Sequence, residues 1–106
     1  MKPLLRIIVF TFLYTITADA FSTSQTFIPT FVGCFPNGVC YIGVTPNVDT
    51  TCPNKGQIRL DITLPGSEAQ YSAALTSFVS GKKLNINVTD TCLTDFATPN
   101  WLHITN

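Results

Sequence analysis

Two cysteines flank a turn sequence, and that local arrangement narrows what the chain can fold into more than any other feature. Phe35-Pro36-Asn37-Gly38-Val39 reads as a type I turn with Gly38 in the left-handed position. A three-residue loop Pro36–Gly38 sets Phe35 opposite Val39, so Cys34 falls opposite Cys40, within reach of a cross-strand disulfide. Cys52 and Cys92 are the other two cysteines. Four cysteines allow three pairings. The hairpin favours Cys34–Cys40 with Cys52–Cys92, while a Cys40–Cys52 bridge would instead tie two neighbouring strands.

Disulfides require an oxidising compartment, and the first twenty residues supply an address for one. Lys2 and Arg6 form a basic start. Leu4 to Leu13 is apolar save for Arg6 and Thr11, and Ala18-Asp19-Ala20 fits a small-x-small cleavage pattern. We read residues 1–20 as a signal peptide and Phe21 to Asn106 as the exported domain, secreted or periplasmic. The apolar run is shorter than the roughly 20 residues a bilayer span requires. Removing the leader takes Lys2, Arg6 and Asp19, which leaves four basic and five acidic side chains and a net charge of −1. With no basic cluster, nucleic acid is excluded as a partner. A single histidine, His103, leaves little room for an imidazole zinc site, and no cofactor motif is present.

Thr26 to Cys34 and Val39 to Thr45 are rich in Phe, Val, Ile and Thr and read as the two arms of the hairpin. Pro29 marks an edge or a bulge in the first. Pro46 to Gly56 reads as a loop. Ile58, Leu60, Ile62 and Leu64 alternate with Arg59, Asp61 and Thr63, which predicts a strand with the first set facing the core. Pro65-Gly66 ends it. Ser67 with Gln70 forms a capping-box pattern. Tyr71, Ala74, Leu75, Phe78 and Val79 then recur at helical spacing, which predicts a helix from Glu68 to Ser80. Gly81 stops it, and Lys82-Lys83 complement its C-terminal dipole. Leu84, Ile86 and Val88 face inward on the next strand. Asp90 to Asn100 reads as a loop, and Trp101 to Thr105 as a last strand. The order β-β-β-α-β-β is that of a five-stranded OB-fold barrel. The Tyr71/Leu75/Phe78 stripe is expected to plug the barrel end.

Several segments together resemble small exported bacterial proteins related to the subtilase-cytotoxin B subunit. They are Cys40-Tyr41-Ile42, Cys52, Tyr71-Ser72-Ala73-Ala74-Leu75, Ser80-Gly81-Lys82-Lys83-Leu84, Cys92, Pro99 and Trp101-Leu102-His103-Ile104. Leu64-Pro65-Gly66-Ser67, and Cys92 followed by Thr98-Pro99-Asn100, are similar to the cholera-type enterotoxin B subunit at equal spacing. Both resemblances imply an OB fold and a homopentameric ring that binds cell-surface glycans and carries an enzymatic A subunit. The departures are specific. Thr94 stands where the cholera-type subunit has its galactose-binding tryptophan, and Phe96-Ala97 replaces its polar Asn-Lys pair. The serine that serves sialic acid in the subtilase-type subunit has no match. A sugar bound here is therefore bound differently.

An aromatic face beside fixed polar groups suits a sugar, and Thr94, Asp95, Phe96, Asn100 and Trp101 supply both. The competing reading makes Phe96 and Trp101 core or interface aromatics. No nucleophile motif accompanies His103, and the five acids are scattered, so a non-catalytic chain is expected. Lys82-Lys83 is either a solvated helix end or a face toward acidic sugars or an A subunit. Asn87-Val88-Thr89 fits a glycosylation sequon, silent in a bacterial chain. A stand-alone secreted or periplasmic interaction or inhibitor module of the same fold is the alternative to a toxin-type subunit.

Overall fold

The computed structural model describes residues 22–106. The signal-peptide reading therefore lies outside the described residues. Five strands and one helix follow in the order β1 (Ser22–Cys34), β2 (Val39–Thr45), β3 (Asn54–Asp61), α1 (Ser67–Ser80), β4 (Lys83–Leu93) and β5 (Phe96–Thr105). They close into a barrel of strand order β1-β2-β3-β5-β4. All neighbouring strands are antiparallel except β3 and β5, which run parallel. This is the OB-type barrel that the element order predicts.

Closure depends on β1 being long enough to serve two neighbours. Its first half, Ser22 to Phe27, pairs with β4, and its second half, from Ile28 to Cys34, pairs with β2. The register slips between Pro29 and Phe31, the bulge that a strand proline brings. Phe27, Ile42, Ile58, Leu60, Leu84, Ile86 and Val88 fill the interior. The hairpin turn forms as its residues dictate. Gly38 has φ +91°, Phe35 N donates to Val39 O at 2.8 Å, and Cys34 pairs with Cys40. The disulfides are Cys34–Cys40 and Cys52–Cys92, and no described cysteine is free. The Cys40–Cys52 alternative is thereby excluded, and the bridges suit an oxidising compartment.

Four local expectations are corrected. First, β3 starts at Asn54, inside the expected loop, and stops at Asp61 rather than Leu64. Asp61 Oδ1 accepts from Thr63 N at 3.0 Å and from Thr63 Oγ1 at 2.5 Å. These bonds fold the chain away from the ladder, so Leu64 is exposed. They also hold the Asp61 carboxyl below the usual carboxylate range.

Second, the capping box does not form. Gly66, at φ +84°, is the N-cap and makes no side-chain cap bond. Ser67 N donates to Leu64 O at 3.2 Å, which draws Ser67 into the first turn. The Gln70 side chain reaches across to Asn100 O at 3.0 Å.

Third, the helix buries only part of the expected face, Tyr71 and Ala74, and adds Ser77. Ala74 and Ser77 are fully buried and Tyr71 half-buried, whereas Leu75 and Phe78 are exposed and Val79 is 83% exposed. Two small side chains let the helix sit close to the barrel. Ser77 Oγ donates to Lys82 O at 2.6 Å, which satisfies its hydroxyl in the apolar setting. Gly81 ends the helix at φ +73° with its N–H on Ser77 O, as expected. Lys82 and Lys83 lie beyond the last turn, and Lys82 Nζ bonds Asn106 Oδ1 at 2.9 Å.

Fourth, the expected loop Asp90 to Asn100 is mostly strand. β4 and β5 meet in a two-residue turn, Thr94-Asp95, both with left-handed φ (53° and 70°). Such a turn suits the twist of a hairpin. Pro99 is tolerated because the register slips on either side of Val88.

Candidate functional site

The residues singled out from sequence separate onto two faces of the barrel. Thr94 and Asp95 form the exposed β4–β5 turn, and Asp95 O accepts from Asn54 N at 3.0 Å. Phe96 follows them and turns toward Arg59. Asn100 and Trp101 lie four and five residues further along β5; Trp101 is about 16 Å up the strand at 3.3 Å per residue. They belong to a plate made by β1, β4 and β5.

That plate arises from strict alternation. Leu84, Ile86 and Val88 are fully buried, so Asn85, Asn87 and Thr89 point out. Leu102 and Ile104 pack on the core, so Trp101 and His103 point out with them. The register places Ser24, Asn87 and Trp101 in one row across three strands, and Thr26, Asn85 and His103 in the next. Trp101 is 39% exposed, and its ring stacks on His103 with centroids 5.3 Å apart and planes 9° from parallel.

The polar side chains beside the rings are fixed by one another. Asn87 Oδ1 accepts from Ser22 Oγ at 2.6 Å and from Asn100 Nδ2 at 3.2 Å. Asn85 Nδ2 donates to Thr26 Oγ1 at 3.1 Å. No Asp, Glu, Lys or Arg occupies these two rows. The result is a surface of amides and hydroxyls around an indole and an imidazole. The His103 ring makes no hydrogen bond to an acid or a nucleophile among the described residues.

The second face was not anticipated as a unit. Phe35 (the β1–β2 turn), Tyr41 (β2) and Phe96 (β5) surround Arg59 on β3, and Phe31 (β1) packs behind them on Tyr41. The Arg59 guanidinium lies 4.1 Å from the Phe96 ring centroid, 5.2 Å from Phe35 and 5.7 Å from Tyr41. Tyr41 packs against Phe31 and Phe35 at 6.0 Å and 5.3 Å. Arg59 was expected to face out. It does leave the interior, yet the rings cover it to 8% exposure. Its Nε donates to Gln57 Oε1 at 2.9 Å, and burial lowers its pKa from the ordinary value.

Two glycines make this packing possible. Tyr41 lies over its cross-strand partner Gly33, and Phe31 over its partner Gly43, so closely that a Cβ at either glycine would collide with the ring. Glycine inside a strand rich in β-branched and aromatic residues marks a close approach of this kind; Gly33 and Gly43 were the available signal. Beside the cluster, where β3 and β5 part, a cleft of about 280 Å³ opens between β3, the start of α1 and the β4–β5 hairpin. Arg59, Asp61, Gln70, Thr91 and Thr98 are among its walls. Among the described residues no group of three or more His, Cys, Asp or Glu side chains has a metal-binding arrangement.

Comparison of the chain with protein-family models, with curated proteins and with solved structures finds no match.

Proposed function

We propose that this protein is an exported, non-catalytic binding module that recognises cell-surface glycans through the β1/β4/β5 plate, in the manner of the toxin B subunits it resembles. The carrying observation is the Trp101 ring, stacked on His103 and flanked by rows of mutually fixed Asn, Ser and Thr side chains. A pyranose has an apolar face of C–H groups and a rim of hydroxyls. The indole takes the first, and neighbouring amides exchange hydrogen bonds with the second. With no Asp, Glu, Lys or Arg in the two rows, the plate suits a neutral sugar. Thr94, Asp95 and Phe96 then lie away from the sugar, and Asn100 acts through its bond to Asn87.

Assembly into a homopentamer belongs to the same proposal. β1 has no β4 partner beyond Phe27, and β5 has no β3 partner beyond Ala97, among the described residues. Unpaired edges favour association with a neighbour, and a head-to-tail contact that closes by rotation gives a ring. An enzymatic A subunit would be the cargo of that ring, and the signal-peptide reading and the two disulfides support a site of action outside the cytoplasm.

The test is glycan-array binding by the purified protein, with native mass measurement of the assembly. A neutral glycan is expected to bind, Trp101→Ala is expected to weaken it at least tenfold without lowering the melting temperature, and the assembly is expected to hold five copies. Absence of glycan binding, or binding indifferent to Trp101→Ala, rejects the sugar reading, and a monomer at micromolar concentration rejects the ring.

A further inference from the structure

Arg59 is a covered cation with no counter-ion among the described residues. The guanidinium carries five N–H donors, of which Nε–H is bonded to Gln57 Oε1. For the others neither an acceptor nor a carboxylate within ion-pair distance is present among the described residues. Asp61, the other charged wall of the cleft, turns its Oδ1 to Thr63. The rings offset part of the cost of removing the cation from water, but a carboxylate arriving from outside gains both a charge-assisted bond and a planar fork to receive it.

Two rings of the cluster have open faces, Phe35 over the guanidinium and Phe31 behind Tyr41. Phe31 is 43% exposed and Phe35 is 45% exposed. Phe, Tyr and Arg are the side chains enriched at the centres of protein interfaces, where Lys and Glu are depleted. Unlike the plate, the cluster offers a sugar few fixed amides or hydroxyls, with Gln57 already committed to Arg59. The cleft that Arg59 lines gives an entering side chain a recess with Leu60, Leu64 and Pro99 in its walls.

We propose that Arg59 and the Phe31, Phe35, Tyr41 and Phe96 rings form a docking site for an acidic polypeptide segment. An Asp or Glu carboxylate of the segment pairs with the guanidinium, and the apolar residues beside it cover the exposed rings. The site is separate from the sugar plate and stands or falls independently of it.

The test uses a phage-displayed library of random dodecapeptides panned on the purified protein, followed by fluorescence anisotropy with the leading peptide. Enriched peptides are expected to carry Asp or Glu next to an aromatic or aliphatic residue. Replacing that acid by its amide, or Arg59→Gln in the protein, is expected to weaken binding at least tenfold, and Phe35→Ser several-fold. Trp101→Ala is expected to leave it unchanged. Should Arg59→Gln fail to fold, the amide peptide and Phe35→Ser decide the matter, since Phe35 sits in a surface turn. Enrichment of no peptide, enrichment without acidic residues, or affinity indifferent to these changes overturns the proposal. Displacement of the peptide by millimolar glucuronate as effective as by the peptide itself also overturns it, because the site would then serve an acidic sugar.

Discussion

Replacing Cys52 and Cys92 together by alanine is expected to lower the unfolding free energy by about 4 kcal/mol, measured by urea titration of the oxidised protein. The bridge spans 40 residues of sequence, so without it the unfolded chain regains the freedom of a long loop. It joins the segment before β3 to the far part of β4, across the side of the barrel where β3 and β5 share only a short ladder. Cys52 is also fully buried in the core. The Cys34–Cys40 bridge spans only six residues, and its removal is expected to cost about 2 kcal/mol. Domains of this size have about 5–15 kcal/mol in total, so the long bridge is a large share. Equal losses from the two pairs would contradict the loop-length account.

The second large effect separates the barrel interior from the outer side of the helix. Ile86 is fully buried at the centre of β4, the strand that pairs with both β1 and β5. Ile86→Ala is expected to cost about 2–5 kcal/mol through lost burial and a cavity that a closed barrel cannot collapse. Val79→Ser is expected to stay within about 0.5 kcal/mol, because that side chain already faces water. If Val79→Ser were as damaging as Ile86→Ala, the helix would be sealing the barrel with its Leu75/Phe78/Val79 side after all. Thermal and chemical denaturation of the two variants side by side makes the comparison.

The hairpin disulfide and the inward set of β4 are legible because each depends on near neighbours in sequence, and the barrel order follows from the order of the elements. Turn residues fix the Cys34–Cys40 register, and period-two alternation fixes which side of β4 is buried. The helix face is legible only in part: apolar spacing includes Ala74 and Tyr71 but adds Leu75, Phe78 and Val79, while close packing on the barrel selects the small Ser77 instead. The Thr94-Asp95 turn was missed because threonine rarely adopts left-handed φ, and nothing local distinguishes such a turn from an open loop. On the candidate sites, Trp101 and Asn100 are adjacent and exposed on β5. Their separation from Phe96 required the long β5, and the Arg59 cluster required residues from four elements whose adjacency only the closed sheet creates.

The seating of Tyr41 on Gly33 and of Phe31 on Gly43 has a thermodynamic consequence. A side chain lying flat on bare backbone has few alternative rotamers, so it surrenders little conformational entropy when something covers it. Surface phenyl groups ordinarily forfeit part of their contact energy to immobilisation. Seated on Gly33 and Gly43, the Tyr41 and Phe31 rings are held in place before any further contact is made.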